Sequence, residues 1–161
     1  MRVAKAMHLL LMRHGEAELH SANDETRNLT ASGVTQSRQA GVWLNEQFSH
    51  VDVAVVSPFV RAQQTLDALS TQVSVDRVIT CPDIVPSGNP VVVHDYVDAF
   101  LLENPTVKTV LLVCHMPIVS FLADNFCQFE HSSLFVTSAI MTIDYQVDQS
   151  RGVKSLGYLT L

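Results

Sequence analysis

Charge and cysteine are both scarce in this chain. Only 16% of its 161 residues are charged, against roughly 25% in an average soluble domain. Ten basic side chains face sixteen acidic ones, for a net charge of −6. That balance excludes a nucleic-acid binder working through bulk positive charge. An anion, if bound, has to be held by a few local cations. Low charge does not mean disorder here, because 47% of the residues are hydrophobic and disorder needs low hydrophobicity. The three cysteines, Cys81, Cys114 and Cys127, have no metal-site spacing and read as reduced thiols of a cytoplasmic protein. No apolar run reaches the roughly eighteen residues that span a bilayer. The start, Met1-Arg2-Val3-Ala4-Lys5, has the basic character of a signal peptide. The apolar stretch after it stops at Met12, includes His8 and has no small-residue cleavage site, so export is not expected. This length predicts a single domain over residues 1–161.

What is present is an alternation of strand-like and helix-like segments. Short apolar runs at His8–Met12, Val53–Val56 and Thr109–Val113 predict strands buried on both faces. Ala139–Tyr145 and Leu156–Leu159 predict two more, and the turn residues Asp148 to Gly152 between them predict a hairpin. Thr30 is placed to cap a helix running to Phe48, with Val34, Gly41, Leu44 and Phe48 inward. Further helices are expected with Ala62, Thr65, Leu66 and Leu69 inward, with Val93, Val97, Phe100 and Leu101 inward, and with Ile118, Phe121, Leu122 and Asn125 inward. Glu18–Arg27 and Cys81–Pro90 read as loops. The expected fold is a three-layer α/β/α sandwich around a mostly parallel, mixed sheet.

Ligands in such sheets bind beyond the carboxyl ends of the strands. Three predicted strand ends carry unusual polar residues: Arg13-His14-Gly15-Glu16, Ser57 to Arg61, and His115. Asp83 lies in the long second loop. Arg61 falls in the first turn of a helix, where the dipole repels a cation. It either serves an anion site or pairs with a nearby carboxylate. Arginine grips phosphate oxygens with paired donors, and histidine can be a covalent nucleophile. The remaining histidines, His8, His20, His50, His94 and His131, have no comparable setting and show no metal signature. Residue by residue, this reaches an anion-binding α/β enzyme and does not name its reaction.

The motifs go further. Arg13-His14-Gly15, the stretch Arg27-Asn28-Leu29-Thr30-Ala31-Ser32-Gly33 with its Leu-Thr-x-x-Gly helix opening, Ser57-Pro58-Phe59-Val60-Arg61-Ala62-Gln63-Gln64-Thr65 and the late His115 resemble, in order, the motifs of the histidine phosphatase superfamily. Within it, the length and the His115-Met116-Pro117 and Thr137-Ser138-Ala139-Ile140 stretches are similar to the short SixA-type phosphohistidine phosphatases. The resemblance implies a phosphoglycerate mutase-like fold and hydrolysis of phosphohistidine through a phospho-His14 intermediate. Arg13, Arg61 and His115 would surround the phosphoryl oxygens, with Ser57 in support or acting only as a helix cap. His14 would be neutral and His115 a donor, with pKa values pushed apart. Asp83 stands nearest to the general acid of ester-cleaving relatives, and Glu16 is a second candidate. No metal or other cofactor is implied. The implied partner is a phosphohistidine-bearing protein, either a histidine phosphotransfer domain or a phosphotransferase-system carrier. A monomer is expected. The alternatives are a small-molecule phosphomonoesterase of the same superfamily and a non-catalytic phosphoprotein-binding module.

Overall fold

The structure is a computed structural model that describes residues 6–127 and 134–159. The N-terminal pentapeptide and His131 lie outside the described residues. The elements in chain order are β1 (Ala6–Arg13), α1 (Ala31–Phe48), β2 (His50–Val56), α2 (Val60–Leu69), β3 (Ser74–Thr80), α3 (Pro90–Glu103), β4 (Thr109–Cys114), α4 (Ile118–Phe126), β5 (Ile140–Gln146) and β6 (Arg151–Tyr158). Short 3-10 turns occupy Asp24–Thr26 and Val147–Gln149. The six strands form one sheet in the order β3-β2-β4-β1-β5-β6. The β1, β2, β3 and β4 pairings are parallel, and β5 joins β1 and β6 antiparallel. The mixed α/β sandwich is therefore as expected. No described helix is long and apolar enough to cross a membrane.

The strands split their side chains between two cores with the period of two that a pleated strand imposes. Leu9, Leu11, Val53, Val55, Val110 and Leu112 face the layer of α3 and α4. Leu10, Met12, Ala54, Val56, Leu111 and Val113 face that of α1 and α2. Burial on both faces is why these strands read as continuous apolar runs.

Two expectations need correction. β3 was not foreseen: it is an edge strand whose residues are exposed apart from the half-buried Val75 and Ile79, and Asp76 and Arg77 interrupt any apolar run. Charges on an edge discourage pairing with other chains. In α4 the inward stripe is Ile118, Val119, Leu122, Ala123 and Phe126, while Phe121 is 49% exposed. Its sequence is apolar on adjacent faces, so periodicity could not choose the phase.

The Thr30 cap forms as expected, its Oγ accepting from the Gly33 amide at 3.0 Å. Gly33 does more than open α1. A Cβ there would lie 2.1 Å from the Glu16 carbonyl oxygen, so α1 can abut the turn after β1 only because the side chain is absent. Gly33→Ala is expected to lower stability by about 1–3 kcal/mol through overpacking, read as a reduced urea midpoint. A midpoint equal to wild type would show that the turn gives way freely.

Candidate active site

Strands β1, β4 and β2 end side by side. Past their ends, the His14 amide donates to the Cys114 carbonyl at 3.0 Å, and the Ser57 amide to the Val113 carbonyl at 3.2 Å. These bonds extend the sheet by one residue and bring His14, Ser57 and His115 to one edge.

The His14 ring is fixed at both nitrogens. Nδ1 lies 2.7 Å from the Gly15 carbonyl. A carbonyl can only accept, so Nδ1 carries the proton and Nε2 presents its lone pair. That lone pair accepts from Arg61 Nε at 3.2 Å. The rest of the Arg61 guanidinium is held by one residue, Asp24, through its carbonyl at 2.7 Å from Nη1 and its Oδ2 at 3.3 Å from Nη2. Asp24 Oδ1 accepts from Arg27 Nε at 2.9 Å. Arg13 approaches from β1 and donates to the Phe135 carbonyl at 2.9 Å.

The His115 ring lies 5.2 Å from that of His14, and its Nε2 is 2.6 Å from Ser57 Oγ. Ser57 Oγ also accepts from the Phe59 amide at 3.1 Å. Phe59 itself occupies the cap position of α2, so Ser57 is not that helix's cap. The Phe59 ring packs 5.0 Å from His115 and 5.1 Å from the Arg61 guanidinium carbon. Above them lies a cleft of about 440 Å³ whose walls include Arg13, His14, Glu16, Asp24, Arg27 and Arg61. Leu19, Pro86 and Met116 stand at its rim.

The rest of the Ser57–Thr65 motif is scaffolding for this arrangement. Thr65 Oγ1 donates to the Arg61 carbonyl at 2.8 Å and accepts from the Gly15 amide at 2.9 Å. Gln64 clamps the other loop, accepting from the Leu29 amide at 2.7 Å and donating to Asn28 Oδ1 at 2.9 Å. One helix thus binds the turn after β1 and the loop before α1.

Known proteins are similar to this chain in both sequence and fold. Residues 9–84 match the histidine phosphatase superfamily (branch 1). The chain is 36% identical over 138 residues to phosphohistidine phosphatase SixA of Escherichia coli, covering 85% of this chain and 84% of that one. The chain belongs to the histidine phosphatase superfamily. It is also 35% identical over 121 residues to a phosphohistidine phosphatase SixA homolog of Haemophilus influenzae, covering 70% and 73% of the two chains. Among solved structures, the histidine phosphatase SixA complexed with tungstate superposes with a TM-score of 0.89 at 32% identity, covering 95% of this chain and 97% of that one. A mycobacterial glucosyl-3-phosphoglycerate phosphatase shares the fold at a TM-score of 0.74 and 12% identity, over 94% and 98% of the two chains.

For this superfamily member the geometry unites Arg13, His14, Ser57, Arg61 and His115, all named from sequence. Asp83 is not brought with them. It is exposed and lies outside the cleft wall, where its loop is represented by Pro86. Asp24 was not singled out, and Arg27 figured only as the start of the helix-opening stretch, because both lie in a polar stretch without periodicity. The only signal was the three-residue spacing of an acid and a base in that loop. Among the described residues, the one grouping of metal-ligand side chains is His50, Asp52 and Asp76. These residues stand at the starts of β2 and β3, at the opposite end of the sheet.

The electrostatics depart from expectation in one respect. Burial, then the charges of Arg61, Arg13 and Arg27, lower the His14 pKa to about 4, against the Gly15 hydrogen bond that raises it. Burial, then His14 and the same three arginines, lower that of His115 to about 2. The two do not move in opposite directions. Both fall, because both rings share one dry, cationic pocket, and His115 is a neutral donor rather than a protonated one. Burial works to raise the Asp24 pKa, but Arg61 and Arg27 hold its carboxyl below the ordinary value. The unfolded chain protonates histidine near ~6.5, whereas folded His14 stays neutral down to about 4. Their contribution to stability is therefore complete above the unfolded value and is lost as pH falls from there toward the folded ones. Thermal unfolding between pH 8 and 4.5 should show Tm falling below pH 6.5, with a shallower fall in His14→Gln. Identical profiles would mean that His14 is not held neutral.

Proposed function

We propose that this protein is a metal-independent phosphohistidine phosphatase acting on a phosphohistidine side chain of another protein. A histidine phosphotransfer domain or a phosphotransferase-system carrier presents such a group. The observation that carries this reading is the lack of a poised carboxylic acid. Among the described residues the carboxylates in the cleft wall are Glu16 and Asp24. Glu16 is tied to the Thr30 hydroxyl, and Asp24 is held ionised between two arginines. An alkoxide leaving an ordinary phosphate ester needs a proton as it departs. An imidazole, with a conjugate-acid pKa near ~6.5, leaves neutral once its far nitrogen is protonated from water.

The chemistry assigned to the site runs in two steps. His14 Nε2 forms a bond to phosphorus, and the bond from phosphorus to the substrate imidazole breaks with its electron pair going to that ring. Water then forms a bond to phosphorus, the bond to His14 Nε2 breaks, and orthophosphate leaves. Gly15 fixes the tautomer for the first step. Arg61, Arg13 and His115 offset the charge spread over the phosphoryl oxygens. Arg13 Nε and His115 Nδ1 are buried without partners among the described residues, and a phosphoryl oxygen is the acceptor that would complete them. Ser57, by donating to His115 Nε2, would leave the ring proton on Nδ1. With cationic side chains supplying the positive charge, no metal is required. The free thiols of Cys81, Cys114 and Cys127 suit a reducing cytoplasm.

The test compares wild type, His14→Ala and Asp83→Ala on a phosphohistidine carrier protein and on an aryl phosphate, with chelator present. Wild type is expected to release phosphate from the carrier, His14→Ala to lose about a thousandfold or more, and Asp83→Ala to stay within about threefold. Turnover of the aryl phosphate alone would make the protein a small-molecule phosphomonoesterase. Turnover of neither would make it a phosphoprotein-binding module.

A further inference from the structure

Asp24 occupies the guanidinium edges that a phosphoryl group bound at His14 would need. Arg61 presents Nε to the nucleophile, and its remaining edge, Nη1 and Nη2, is filled by Asp24 alone. The same carboxylate covers Nε of Arg27, a third guanidinium in the cleft wall. Of its contacts to Arg61 the backbone one is short, 2.7 Å, and the carboxylate one is long, 3.3 Å, while the carboxylate contact to the half-buried Arg27 is 2.9 Å. A charge-assisted bond between well-seated partners is normally nearer ~2.8 Å. The backbone contact therefore places the turn, and the carboxylate contact is the one that can be exchanged. Exposure points the same way: the Arg61 side chain is 3% exposed and cannot follow a departing partner, whereas that of Asp24 is 58% exposed and can turn into water.

We propose that Asp24 is a resident competitor for the phosphoryl group, and that Arg27 is a third phosphoryl-gripping guanidinium which Asp24 covers until substrate arrives. The proposal rests on the phosphatase reading only in taking the anion to be a phosphoryl group. Arg13, Arg27 and Arg61 repel one another, and one carboxylate offsets part of that cost. A phosphoryl group carries up to two negative charges and offsets more, so it displaces the carboxylate from Arg61 and Arg27. Free orthophosphate makes the same exchange but brings no further contacts. The device therefore weakens both by the same factor, and a phosphorylated protein recovers the loss through its other contacts whereas free product cannot.

Removing the competitor should tighten anion binding, whereas losing a merely structural residue should weaken it. Calorimetric titration with orthophosphate at pH 7 would compare wild type, Asp24→Asn, Asp24→Ala, Arg27→Ala and Arg27→Lys. Both Asp24 variants keep the backbone carbonyl on Arg61, and thermal melts would report their folding. Loss of one charge-assisted contact predicts an orthophosphate Kd about tenfold tighter in the Asp24 variants and about tenfold weaker in Arg27→Ala. Arg27→Lys should recover to within about threefold of wild type. Folded Asp24 variants that bind orthophosphate no more tightly than wild type would overturn the competitor, and an unchanged Kd in Arg27→Ala would overturn the third guanidinium. The titration needs no turnover. A wild type that binds orthophosphate but leaves phosphohistidine proteins untouched would defeat the functional reading and spare this one.

Discussion

The Arg61 guanidinium is the piece on which the rest of the site depends. It sits at the second residue of α2, where the helix dipole repels it, and its side chain is almost wholly out of water. Two unfavourable placements of one charge need compensation. Asp24 supplies the counter-charge and the Phe59 face supplies a cation–π contact. In return Arg61 orients the lone pair of His14 and anchors the otherwise exposed Asp24–Thr26 turn. Of the two alternatives open at the sequence level, an anion-binding arginine and a carboxylate-paired one, the structure shows the carboxylate pairing, and it places that pair in the cleft wall.

Around that hub the fold concentrates cations in a protein that is acidic as a whole. Three arginines converge on one cleft, although the chain carries a net charge of −6. Their shared field, added to burial, keeps both site histidines neutral. A nucleophile needs that state, and a dianion approaching such a field encounters attraction without any excess of bases elsewhere. The same field prevents Asp24 from acting as an acid, which ties the choice of leaving group to the charge pattern.

The positions of these groups follow from the sheet. Adjacent parallel strands must end at the same edge, so β1, β4 and β2 deliver His14, His115 and Ser57 together. Thr65 and Gln64 then fasten the two loops that α2 faces, and Gly33 lets α1 approach closely enough for the turn after β1 to stay put. The Asp24 turn buries none of its residues and is tied to the site by hydrogen bonds to Arg61 and Arg27.

Much of this was legible in the sequence, and the reason is local chemistry. Strands buried on both faces must be apolar throughout, helices with one buried stripe must show it, and Thr30 marks the start of α1 by capping it. The residues at strand ends, Arg13, His14, Ser57, Arg61 and His115, stood out because polar groups directly after apolar strands have few structural reasons to be there. The edge strand β3 and the phase of α4 were not legible, since an edge strand needs no apolar face and a helix apolar on several sides has no preferred one. Nor were Asp24 and Arg27. A loop has no period, so nothing local distinguishes a carboxylate facing solvent from one laid across two guanidiniums. Asp83, by contrast, had the right chemistry and the wrong place. The sequence by itself determined the layers and most of the polar side chains that meet at the sheet edge. Only the tertiary structure decided which carboxylate meets the arginines, because that pairing joins segments 37 residues apart and depends on where the chain brings a loop back over a sheet edge.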